Sequence, residues 1–145
     1  MELSSKSEYG LLAMLELAAC HGNGEPAQIR QIALQQNIPD RYLEQLLATL
    51  RRAGLIRSER GAKGGYFLAR KPWEITVLDV VVCMQGSEFQ RSEKETDADD
   101  EGRRAISEIW QESQQAAGDV LQKYTLQDLL EKRDARRQLD MMYYI

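Results

Sequence analysis

Apolar positions in the first half of the chain recur every three to four residues in three runs and then switch to alternation. Leu11, Leu12, Leu15, Ala18 and Ala19 follow a helical period, with Ser5 and Glu8 ahead of them in a capping-box pattern and "HGNG" as the stop. A short second helix is predicted in "PAQIRQIALQQ", with Ile29, Ile32 and Ala33 on one face. After a break at 37–39, "DRYLEQLLATLRRAG" predicts a third helix that turns Leu43, Leu46, Leu47 and Leu50 inward and ends at Gly54. That inward set leaves Arg41, Tyr42, Glu44 and Gln45 largely free, with Tyr42 reading equally as a partly buried helix residue. "LIRSER" and "GYFLAR" then read as two strands around the turn "GAKG".

Further along, "VLDVVVCMQ" follows a Thr76/Asp79 capping box and predicts a fourth helix. "RRAISEIWQESQQAAGDVLQKY" carries Ile106, Ile109, Trp110, Ala117, Val120, Leu121 and Tyr124 as an apolar stripe over about five turns. A face that long needs a partner, and a two-fold helix pair is the economical one for a chain of this size. The expected fold is mainly α with a small β-hairpin. A winged helix-turn-helix domain would span 1–86, an acidic flexible linker 87–101, and a dimerisation helix with a short C-terminal helix 102–145.

Composition narrows the class. The 145 residues are 43% hydrophobic, enough for an ordinary core, and hold only Cys20 and Cys83, too few for a disulfide framework. "MELSSKSE" has no signal-peptide apolar region, and "LLAML" and "VVVCM" are far too short to span a bilayer, so a soluble cytoplasmic protein is expected. One His and no nucleophile elbow, phosphate loop or zinc-protease motif leave no constellation for catalysis. A calcium-loop-like spacing at Asp97, Asp99, Glu101, Gly102 and Glu108 has Glu at its fifth position and two arginines inside it, and reads instead as charged linker. No metal site is expected.

The net charge of −4 conceals an asymmetry. Residues 1–72 hold ten Lys/Arg against seven Asp/Glu, a net +3; residues 73–145 hold nine against sixteen, a net −7. From Arg41 to Lys71 there are eight basic residues and two acidic ones, a local +6 that suits a polyanion. Helix, helix, basic-ended helix and basic hairpin is the element order of a winged helix-turn-helix module. The major groove admits one helix, and polar side chains near its N-terminus read base edges; here those are Arg41, Tyr42, Glu44 and Gln45. The hairpin reaches the flanking backbone: Gly61, Gly64 and Gly65 permit positive φ and close approach, and Arg60 and Lys63 supply charge. Lys6 and Gln28 join the expected backbone contacts. The inferred partner is double-stranded DNA. The alternative of another class, a winged-helix protein–protein interaction module, would carry apolar residues at the third helix's N-terminus and the wing tip.

"IPDRYLEQLLATLRRAGLIRSERGAKGGYFLAR" closely resembles the recognition helix and wing of the Rrf-two family of bacterial regulators, among them the iron-sulfur cluster regulator and the cysteine-metabolism repressor. "LSSKSEYGLLAMLELA", "EITVLDVVVCMQG" and "TLQDLL" resemble the family's first helix, its helix after the wing and its short C-terminal helix. The resemblance implies a homodimeric transcriptional regulator in which Arg41, Tyr42, Glu44 and Gln45 read bases and Arg60 with the 61–65 loop enters the minor groove. A pseudo-palindromic operator follows from the two-fold symmetry, and the effector is unknown. Cluster-binding members carry three cysteines after the fourth helix, and some use a further ligand about where Glu8 stands. Here "GSEFQRSEKETDADDEG" has no cysteine, so the usual iron-sulfur ligands are absent. Cys83, at the end of its apolar helix, is a candidate redox or cluster residue against its reading as a buried small hydrophobe, and Cys20 beside His21 lacks metal-site spacing. A redox, metal-cluster, metabolite or partner signal would suit the class.

Overall fold

A computed structural model of the protein describes residues 3–86 and 100–143. Six helices and one hairpin are described: α1 (Ser5–His21), α2 (Ile29–Gln36), α3 (Asp40–Arg52), β1 (Ile56–Glu59), β2 (Gly65–Leu68), α4 (Val77–Gln85), α5 (Glu101–Lys123) and α6 (Leu126–Tyr143). Most of the expected acidic linker, and the first residues of the calcium-like spacing, lie outside the described residues.

The leucine register of α3 governs the module. Leu43, Leu46, Leu47 and Leu50 are all fully buried and meet Ala13, Met14, Leu17 and Ala18 of α1 with Ile32 of α2 in one core. Gly54, at φ +78, ends that helix in a left-handed conformation that L side chains rarely adopt. β1 and β2 pair antiparallel from Ile56 opposite Leu68 to Glu59 opposite Gly65. The Thr76/Asp79 capping box closes α4 in both directions, at 2.9 and 3.0 Å.

Three local expectations are corrected. Ser4, not Ser5, caps α1: it is the extended residue, its hydroxyl accepts from the Ser7 amide at 3.1 Å, and Glu8 stays exposed with no part in a capping box. The second helix starts at Ile29 because Ala27 is bridged to Tyr66 and Gln28 is extended. The C-terminal helix is 18 residues long rather than short. Its start copies that of α4: Thr125 and Asp128 form a second reciprocal capping box, and the two starts lie side by side through Val77 N–H donating to the Tyr124 carbonyl (2.8 Å) and Leu126 N–H to the Ile75 carbonyl (2.9 Å). Leu126 is fully buried and Leu130 packs on the same core, so α6 returns to the winged module.

Glu16 of α1 is a buried carboxylate. Its Oε1 accepts from Gln36 Nε2 at 2.7 Å and from Arg133 Nη1 at 3.4 Å, which joins α1, the end of α2 and α6. No helix is long and apolar enough to cross a membrane among the described residues.

Candidate nucleic-acid interface

Burial of one face of α3 decides what the other face shows. With the four leucines inward, Arg41, Glu44 and Gln45 are exposed at the helix's N-terminal end. Tyr42 takes the partly buried one of its two readings: it is half-buried, edge-on to Tyr9 of α1 at 5.6 Å and 80°, because it lies on the flank between the leucine face and solvent. Its ring sets the seat of α1 against α3. Lys6 is exposed in the first turn of α1.

The wing tip is a turn closed by Gly64 N–H donating to the Gly61 carbonyl at 3.0 Å, and Gly61 has φ +111. Arg60 and Lys63 are exposed there and form no ion pair among the described residues. Three other cations of the basic stretch, Arg57, Arg70 and Lys71, are engaged within the protein. Arg57 pairs with Glu59 at 2.5 Å and lies over the Phe67 ring at 4.5 Å. Arg70 approaches Asp79 at 3.8 Å, and Lys71 lies over Trp73 at 5.4 Å. Arg41 at the start of α3 and Arg60 and Lys63 at the wing tip are exposed, as are Arg51 and Arg52 in the last turn of α3, and none of the five forms an ion pair among the described residues, so all remain available to a polyanion. These tips are charged, not apolar, the feature that separates a DNA contact from a protein-binding edge.

Gly64 and Gly65 are required by the wing's own packing, and Gly65 takes the expected positive φ. Gly64 is buried, and a Cβ there would collide with the Glu59 and Arg60 backbone. Gly65, at φ +151, would place its Cβ 2.8 Å from the Ala27 carbonyl oxygen and 2.9 Å from Pro26 Cβ. Both glycines let the wing close on its own module. Gln28, expected at the DNA backbone, donates from Nε2 to the Gly64 carbonyl. An open cleft of about 630 Å3 runs between the start of α2 and the wing, lined by Gln28, Arg30, Gly61 and Tyr66 among others. Sequence reading missed the Ala27–Tyr66 bridge, for which a single residue ahead of a helix gives no periodic signal.

The dimer-stripe residues divide. Ala117 and Leu121 are half-buried on the side of α5 that lies against α4, whereas Ile106 (68% exposed), Ile109 (68%) and Trp110 (54%), with Val120 and Tyr124, face solvent. No residue of α5 is fully buried.

Both cysteines are half-buried free thiols. Cys83 Sγ donates to the Thr49 carbonyl of α3 at 3.8 Å; burial pushes its thiol pKa up, and the charge of Lys6 only partly offsets this. Cys20 accepts from Gln31 Nε2 at 3.7 Å and is likewise pushed up by burial, against the lowering effect of that bond. Neither thiol has the lowered pKa of a reactive cysteine.

Residues 3–132 match the family described as Rrf2, iron-dependent transcriptional regulator. The HTH-type transcriptional regulator CymR of Bacillus subtilis is 40% identical over 143 residues, covering 99% of each chain. The solved structure of B. subtilis CymR, described as the global cysteine regulator, superimposes with a TM-score of 0.77 at 39% identity over 91% of this chain and 98% of that one. IscR of T. potens gives a TM-score of 0.77 at 36% identity over 92% and 88%. The donor set does not fit iron held by thiolates: two cysteines are present, each engaged on a different element, and no group of three His, Cys, Asp or Glu side chains among the described residues could hold a metal ion. With a winged module of matching topology and a family match over 3–132, the chain belongs to the Rrf2 family of DNA-binding transcriptional regulators.

Proposed function

We propose that the protein is a homodimeric regulator that reads a pseudo-palindromic duplex, with α3 in the major groove and the wing over the adjacent minor groove of each half-site. The observation that carries this reading is the pairing of an exposed Arg41, Glu44 and Gln45 at the start of α3 with an unpaired Arg60 and Lys63 at the wing tip. Arg41, Glu44 and Gln45 supply donors and acceptors to base edges; Tyr42, seated on Tyr9, fixes the helix; Arg60, Gly61 and Lys63 meet the backbone. The exposed Ile106, Ile109 and Trp110 support a second copy as the partner of α5, and two-fold pairing would set the half-sites one helical turn apart, about 34–36 Å. On this reading residues 1–86 with α6 form the DNA-binding body, and α5 forms the dimer arm. The relation over nearly the whole chain to a global cysteine regulator favours genes of cysteine supply as targets.

Selection of duplexes from a random library by the full-length protein tests this, and a two-fold consensus is expected. Gln45→Ala should then relax preference at one position per half-site by about 1–3 kcal/mol, while Lys63→Ala should weaken all sequences alike. Equal discrimination of every operator variant by the Gln45→Ala protein would overturn the base-reading assignment.

A further inference from the structure

The wing is not held by its two strands alone. Residues 26–28 run extended in front of α2, and Ala27 both donates to and accepts from Tyr66 at 2.9 Å, so that one residue acts as a third strand beside β2. Gln28 completes the attachment through its amide bond to the Gly64 carbonyl, and Gly65 is packed so closely on 26–28 that no side chain fits. Gln28 is also the N-cap of α2, with φ −90 and ψ 145, the position from which a side chain ordinarily accepts an amide of the first turn. It makes no such bond, because its amide is turned to the wing.

We infer that Gln28 is a positioning residue for DNA recognition: it ties the wing to the start of α2, so that wing and α3 meet the duplex as one body and the wing's contribution to binding depends on it. The inference rests on the reading that the wing tip contacts DNA. Gln28 does not act on a phosphate itself; it acts through Arg60 and Lys63.

Gln28→Met keeps the side-chain length and removes the donor; Gln28→Lys keeps a donor that can reach the same carbonyl. In the free protein, the Tyr66 amide should exchange with solvent at least roughly tenfold faster in Gln28→Met than in the parent, with the melting temperature lowered by only a few degrees, and Gln28→Lys should restore much of the protection. On a selected operator, Gln28→Met should weaken binding roughly fivefold to tenfold, the net worth of one hydrogen bond, and erase hydroxyl-radical protection under the wing while leaving protection under α3. In a double-mutant cycle the Gln28→Met/Lys63→Ala protein should bind no worse than Gln28→Met alone. Strictly additive losses, or unchanged Tyr66 exchange, would overturn the inference. If Lys63→Ala by itself leaves affinity and salt dependence unaltered, it is the wing's contact with DNA that fails; the exchange measurement still decides whether Gln28 holds the wing.

Discussion

A protein carrying Ile109→Asp and Trp110→Asp should run as a monomer by light scattering, with its helical circular dichroism unchanged. Both side chains face solvent at 68% and 54% exposure, so the substitutions remove nothing from the protein's own core. An apolar patch of that kind on one helix face, beside Ile106, is what a partner helix would cover, and two carboxylates there would be left in the interface without compensation. Loss of the dimer uncouples the half-sites. Each then binds without the effective concentration supplied by the other, and operator affinity should fall by on the order of 10²–10⁴-fold. A protein that stays dimeric would move the interface to another surface.

The second large effect is on stability. Glu16 is a charge at 8% side-chain exposure whose Oε1 depends on Arg133, itself only 19% exposed, and on Gln36. Arg133→Ala removes the countercharge but leaves the carboxylate buried, and truncating one member of such a pair costs about 3–5 kcal/mol. The loss should appear as a lower urea midpoint at unchanged slope. Replacing both members, as Glu16→Leu/Arg133→Leu, should restore much of the stability, because the desolvation of two charges is removed along with their attraction. If Arg133→Ala costs less than about 1 kcal/mol, the contact behaves as an ordinary surface pair.

The parts of this architecture that sequence could convey are those with a local rule. The spacing of Leu43, Leu46, Leu47 and Leu50 gave α3 its length and its buried face, Gly54 marked its end, and the Thr76/Asp79 pair marked the start of α4. The hairpin came from alternation around a glycine-rich turn. What sequence could not convey rests on contacts between distant segments. Glu16 and Arg133 are 117 positions apart, and nothing in either local pattern pairs them. The full extent of α6 was hidden because "EKRDARRQLD" has no apolar period; strong helix formers carry it past the anchored first turns. At the candidate interface the charge of the 41–71 stretch was legible, but its division was not. Whether an arginine is free or paired depends on where Glu59 and Asp79 fall in space. For Gly64 and Gly65 the need for space is legible in the sequence, and the protein groups that crowd them, the 59–60 backbone and residues 26–28, are not.

The central claim is that α3 and the wing bind duplex DNA through a few free cations and a set of base-reading side chains. Its most direct test is the affinity of the full-length protein for a selected operator, measured by fluorescence anisotropy from low to physiological salt and beyond, beside a scrambled duplex. Two backbone-facing cations per protomer, Arg60 and Lys63, predict a log–log salt slope of roughly −4 for a dimer, reduced by about 2 in Lys63→Ala, with the operator favoured at least 10³-fold at physiological salt. Equal affinity for the scrambled duplex, or a slope that Lys63→Ala leaves in place, would contradict it.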